Sequence, residues 1–117
     1  MKSIIEVKNQ IRQAPEYWQI PFMDFVDDFR RYKDISAIDT PYKMDGDKMD
    51  ALSVEVIEYL CHEQDLEVPN WIFSVPACQH PWFVAGIENL KAIALVESPL
   101  EFRIRKIFVL ENFLYRV

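Results

Sequence analysis

Gly46 and Gly86 are the only glycines in this chain, against seven prolines. That ratio constrains the fold more than any motif does. Tight two-residue hairpins lean on glycine at left-handed positions, and a sheet of such hairpins would run out of turn residues after two corners. Few glycines and scattered prolines suit helices punctuated by rigid turns. The same scarcity excludes a glycine-rich phosphate loop. Half of the 117 residues are hydrophobic, with three Trp, five Tyr and eight Phe, which is core-forming composition. A chain of this length is one domain and needs neither disulfide nor metal to fold. The expectation is an all-α single compact domain, residues 1–117, of about five helices. Within it, residues 1–45 read as an N-terminal helical arm and loop, and 46–117 as the main body.

Periodicity places the helices. Ile4, Ile5, Val7 and Ile11 stand near helical spacing and stop before Pro15. Phe22, Phe25, Val26 and Phe29 fall at i, i+3, i+4 and i+7, one apolar helix face. Pro21 suits the first helical position, where its missing N–H has no helical partner. Asp24, Asp27 and Asp28 come early and Arg30, Arg31 and Lys33 late, matching the helix dipole. The stretch "DISAIDTPYKMDGD" is polar, holds Pro41 and Gly46, and reads as a loop, the segment most prone to move. Asp47 is a candidate N-cap for the longest helix, about 47–64, with Met49, Leu52, Val56, Tyr59 and Leu60 as its stripe. A proline-stiffened connection follows, with one helical turn around Trp71 as a plug. Ile87, Leu90, Ile93, Ala94 and Leu95 suggest a further buried stripe. Ser98, Pro99 and Glu101 read as N-cap, N1 and N3 of another helix. Ile107–Val109 are β-prone, so a short extended segment there is compatible with the helical whole, and a final helical turn around Glu111–Tyr115 is equally readable.

Charge is segregated. Residues 1–68 carry 15 acidic and 8 basic side chains, whereas residues 69–117 carry 4 and 5. An acidic chain of net charge −6 is repelled by phosphate backbones. The basic knot Arg103, Arg105 and Lys106, interleaved with Phe102, is a weak nucleic-acid footprint, and pairing with the acidic half or with a protein partner explains it better. No signal peptide is visible in "MKSIIEVKNQ". No apolar run approaches the roughly 20 residues that span a bilayer, so no membrane association is expected. Two cysteines without a secretory signal point to reduced thiols and a cytoplasmic location.

Cys61, His62, Cys78 and His80 are all the cysteines and histidines of the chain. Zinc takes its ligands as short pairs separated by two or more residues. Adjacent side chains on a helix diverge by about 100°, so Cys61 and His62 do not converge on one ion. Cys61 reads as a small buried hydrophobe and His62 as a solvated residue near a helix C-terminus. No catalytic cysteine signature surrounds either thiol. No metal, no cofactor and no catalytic residue is expected.

The stretch "PWFVAGIENLKAIALVESPLEFRIRKIFVLENFL", with "LEVPNWI" upstream, resembles the C-terminal region of bacterial Xre-like antitoxin-type proteins found beside nucleotidyltransferase-type toxins. The resemblance spans about residues 50–117. It is most specific at Pro81–Phe83 and Ser98–Phe108. That family often has glycine where Lys106 stands. Many of its members also carry an N-terminal helix-turn-helix, which residues 1–45 do not show. The resemblance implies a non-catalytic protein that binds and neutralises such a toxin. It implies that the aromatic-basic residues Trp82, Phe83, Phe102, Arg103, Arg105, Lys106 and Phe108 form either the docking patch or shared core. The acidic stretches Asp24–Asp28 and Asp45–Glu67 would steer the chain to a basic substrate groove. The rival readings are a DNA-binding regulator acting through Arg103–Lys106 and, behind it, a small metal or thiol enzyme using Cys61 or Cys78.

Overall fold

A computed structural model describes residues 1–84, 91–110 and 112–115. Its architecture is the expected one, mainly helical with very little strand. Five α-helices are described: α1 (Ile4–Gln13), α2 (Gln19–Tyr32), α3 (Lys48–Glu63), α4 (Lys91–Glu97) and α5 (Leu100–Ile104). Two short strands, β1 (Trp82–Phe83) and β2 (Ile107–Phe108), pair in parallel, with Trp82 opposite Ile107 and Phe83 opposite Phe108. The extended segment near 107–109 is therefore β2. Its partner lies in the proline-bracketed connection.

Each long helix starts where its chemistry allows. Ser3 accepts the Glu6 N–H and caps α1, which buries Ile4, Val7, Lys8 and Ile11. Pro15 then removes the donor that another turn would need. A short turn at Pro15–Tyr17 leads straight into α2, so Pro21 is the third residue of that helix and not the first. Its missing N–H still falls among the unpaired donors of the opening turn. Phe22, Phe25, Val26 and Phe29 are buried as the spacing predicts. Lys33 ends α2 in the left-handed conformation and donates its N–H to Phe29 O.

The segment between α2 and α3 is anchored at several points. Ala37, Ile38 and Tyr42 are buried, Trp71 Nε1 donates to Ile38 O at 2.9 Å, and the Tyr42 ring meets Trp71 edge-on. Asp47 caps α3 by accepting the Met49 N–H at 3.0 Å. α3 is the central element. Every residue from Asp50 to Ile57 is buried, so the helix is wrapped on all sides rather than along one stripe. α1 packs on α2, and both α2 and α5 pack on α3. One hydrophobic core joins Val7, Phe25 and Phe29 to Leu52, Ile72, Phe102 and Ile107. Ile72 is the fully buried residue of the turn at Asn70–Ser74, with Trp71 half-buried beside it.

The C-terminal third departs most from expectation. Ala94 is buried, but Ile93 and Leu95 are exposed, and Ile87 and Leu90 lie outside the described residues. Ser98 does not cap α5. Its hydroxyl donates to Ala94 O at 2.5 Å and accepts the Val109 N–H at 2.8 Å, tying α4 to the end of β2. Pro99 takes the cap position, and Leu100 opens the helix. Among the described residues no helix is long and apolar enough to cross a membrane.

Candidate functional site

The cysteines and histidines do not assemble. Cys61 and Cys78 are buried free thiols, and burial pushes both up, Cys61 to about 11. A buried thiol shifted this way is held as the unreactive thiol form. His62 is exposed and lies 3.2 Å from Glu101 Oε1, linking the end of α3 to α5. Among the described residues, the one group of three metal-ligating side chains is Asp45, Asp47 and Asp50, with carboxylate oxygens within 4.8 Å of one another. The three stand close together in the sequence, but the cation that neutralises them comes from α1 and leaves no local sign.

That cation is Lys8. Its ammonium lies 2.9 Å from Asp50 Oδ1 and 3.2 Å from Asp45 Oδ2, and its side chain is 1% exposed. Arg12 Nε reaches both Asp45 oxygens, at 2.9 and 3.0 Å, and holds that carboxyl below its ordinary range. The second Asp50 oxygen accepts the backbone N–H groups of Asp45 and Gly46. Gly46 sits at φ +78°, a left-handed position with open space around it. Tyr42 donates its hydroxyl to Asp50 O at 2.6 Å, and burial pushes its own pKa upward. Lys8 and Arg12 thus supply the positive charge that a metal would bring, and the cluster locks α1 onto the start of α3.

A second ion cluster lies at the other end of the core. Arg105 places Nη1 2.5 Å from Glu55 Oε2 and Nη2 2.6 Å from Glu58 Oε2. Glu55 is fully buried, and its Oε1 has no hydrogen-bond partner among the described residues. The Glu58 contact is an ion contact without hydrogen-bond alignment. Burial raises the Glu55 carboxyl to about 8, outweighing the pull of Arg105, and the neighbouring Glu58 charge adds to the rise.

The aromatic-basic residues separate into three groups. Phe102 and Arg105 are buried and belong to the core. Trp82, Phe83 and Phe108 are half-buried on the two strands. Trp18 packs against Trp82, Lys48 lies over the Trp82 ring at 4.5 Å, Phe83 stacks on Phe108 at 5.0 Å, and Lys91 lies over Phe83. Arg103 and Lys106 are exposed. Arg103 donates to Ser98 O at 2.7 Å. Lys106 sits at φ +62°, the conformation glycine adopts without a steric penalty. The three-residue basic knot is therefore two surface cations and one internal one.

The surface feature that sequence analysis missed is apolar. Ile93, Leu95 and Val96 on α4 and Leu100 and Ile104 on α5 are all exposed, with Val96 at 78%. Ile93 and Val96 share one face of α4, and Leu100 and Ile104 share one face of α5, by their three- and four-residue spacings. Helical spacing pointed to burial for Ile93 and Leu95, but periodicity alone does not say which apolar face meets the core. A cleft of about 570 Å³ opens between the start of α3 and residues 76–82, lined by Lys48, Cys78, His80 and Trp82. No family model, no curated protein and no solved structure matches the chain.

Proposed function

We propose that this chain is a non-catalytic, antitoxin-like protein that binds and neutralises a nucleotidyltransferase-type toxin. The observation that carries a protein partner is the run of exposed apolar side chains on α4 and α5, Ile93 to Ile104. Five large apolar groups in twelve residues of two consecutive helices have a standing cost in water, and a patch of this kind marks an interaction surface. Arg103 and Lys106 flank it as exposed cations, giving an apolar centre and a polar edge as protein interfaces have.

The class of partner rests on the resemblance of residues 50–117. One backbone feature adds support. Lys106 holds a left-handed conformation at the position where the family often has glycine. The turn between α5 and β2 is thus compatible with the family's pattern despite the lysine. Burial of Arg105 against Glu55 and Glu58 weighs against the DNA-binding alternative, since it removes one of three cations from the surface.

The test is co-expression with a growth-arresting nucleotidyltransferase-type toxin from the same organism. The expected result is restored growth and a complex that survives gel filtration. The triple variant Val96→Ser, Leu100→Ser, Ile104→Ser should fold normally and lose both. Growth arrest that persists beside well-expressed wild-type chain, with no complex, refutes the toxin reading.

A further inference from the structure

The cleft of about 570 Å³ beside the start of α3 has the size of a small-molecule site. One wall is apolar and stiff, made of Pro76, Ala77, Cys78, Pro81 and Trp82. The two prolines fix their own φ. The wall is also pinned at two points: Cys78 donates its N–H to Arg105 O at 3.1 Å, and Trp82 donates its N–H to Lys106 O at 2.8 Å. The cleft therefore exists before a ligand arrives, which removes an ordering cost from binding. The opposite wall is the opening turn of α3, and its carboxylates are already engaged. Asp50 is neutralised by Lys8, and Asp47 accepts the Met49 N–H at the positive end of the helix. Lys48 is exposed and has no carboxylate partner among the described residues; its ammonium lies over the Trp82 ring at 4.5 Å. Burial raises the Cys78 thiol, and Lys48 and Lys106 both pull against that rise, so two ammonium groups act on this wall. Gln79 and His80, both exposed, add side-chain donors to the lining.

We infer that this cleft binds a small organic carboxylate, its acidic group held at Lys48 and its apolar body against Pro76, Ala77 and Pro81. Charge decides the head group. The chain as a whole carries −6, so a polyanion such as a nucleic acid is repelled along its length. One small anion that enters the cleft meets the local ammonium groups at short range, where they outweigh screened charges farther off. A cationic ligand meets the same groups unfavourably. The wall decides the body. Ligand sites are mainly apolar with a few polar groups that fix orientation, and inorganic phosphate has nothing to lay against two prolines and an alanine. The inference stands without the toxin reading, because it concerns a different face and needs no protein partner.

The test uses naphthoate and its neutral counterpart naphthamide. Each is titrated into the isotopically labelled full chain and read by amide and indole shifts. Naphthoate should saturate, perturb Ala77, Gln79, His80 and Trp82, and bind several-fold more weakly at high salt. Naphthamide, with the same body and no charge, should bind about tenfold more weakly. Lys48→Gln should weaken naphthoate about fivefold and leave naphthamide unchanged, whereas Lys48→Arg keeps the charge and should keep the binding. Lys48 lies at the surface, so both variants should leave the remaining spectrum intact. The inference is overturned by equal binding of naphthamide, by indifference of naphthoate to Lys48→Gln, or by the lack of a saturable shift at residues 76–82. Shifts on Ile93–Ile104 alone count as the last of these and place the ligand on the α4–α5 face.

Discussion

Lys8 Nζ sits 2.9 Å from Asp50 Oδ1, and both side chains are almost wholly withdrawn from water. Removing one partner of such a pair leaves the other charge buried and uncompensated, which costs about 3–5 kcal/mol. Lys8→Met should therefore lower unfolding stability by about 3 kcal/mol. Urea denaturation measures this, and a loss below about 1 kcal/mol would mean that Arg12 and the backbone alone satisfy the carboxylates.

Glu55 makes stability depend on pH. Its folded-state carboxyl is raised from 4.5 to about 8, so the folded chain holds that proton more tightly than the unfolded chain does. The contribution is complete below 4.5 and is lost as pH rises through 8. Glu55→Gln keeps the shape and removes the titration. Relative to wild type it should gain about 4 kcal/mol between pH 5 and pH 9. Parallel denaturation curves at the two pH values check this, and a constant difference between variant and wild type contradicts it.

Ser98 is buried and serves Val109 N–H and Ala94 O at once. Ser98→Ala strands a buried backbone donor and should cost about 2 kcal/mol. Hydrogen exchange at the Val109 amide should accelerate in the variant. Unchanged exchange there would show that another acceptor takes over.

Lys106 at φ +62° carries backbone strain that glycine does not. Lys106→Gly should raise stability by about 0.5–1 kcal/mol, the relief of the side chain exceeding the added freedom of the unfolded chain. A thermal melt decides the sign, and a lower midpoint refutes the account.

Both thiols should resist a disulfide reagent in the native protein at neutral pH. They should react together once the chain is unfolded, because burial protects Cys61 and Cys78 and raises both. Fast native-state labelling of either would place it at an accessible position.

The helices were readable where local rules act alone. Phe22, Phe25, Val26 and Phe29 announced α2 by spacing, and Asp47 announced the start of α3. Residues that answer to distant partners were not readable. Lys8 sits on a helix face otherwise occupied by Ile4, Val7 and Ile11, and nothing near it in the sequence says that Asp50, 42 residues on, will meet it. Arg105 is likewise an ordinary surface cation until Glu55, 50 residues earlier, is seen to lie beneath it. Ser98 followed by proline carries a strong capping signal, yet the hydroxyl accepts from the buried Val109 N–H and donates to Ala94 O instead. Of the aromatic-basic patch, the alternation of types was visible, but which members face inward depended on the α5–β2 turn. The exposed α4–α5 face left no signal beyond ordinary amphipathic spacing.

The parallel pairing of β1 with β2 has a consequence for how the chain folds. Parallel strands cannot be joined by a tight turn, so residues 84–106 must be laid out before Trp82 finds Ile107. That excursion is shorter than the 42 residues between Lys8 and Asp50, which lock α1 to α3. The strand pair is a clasp that returns the chain to the connection it left, at the entropic cost of closing that loop. Together with Phe102 in the core and Arg105 on Glu55 and Glu58, it fastens the segment carrying the exposed apolar helices to the body at three points, so that segment cannot swing free without breaking into the core.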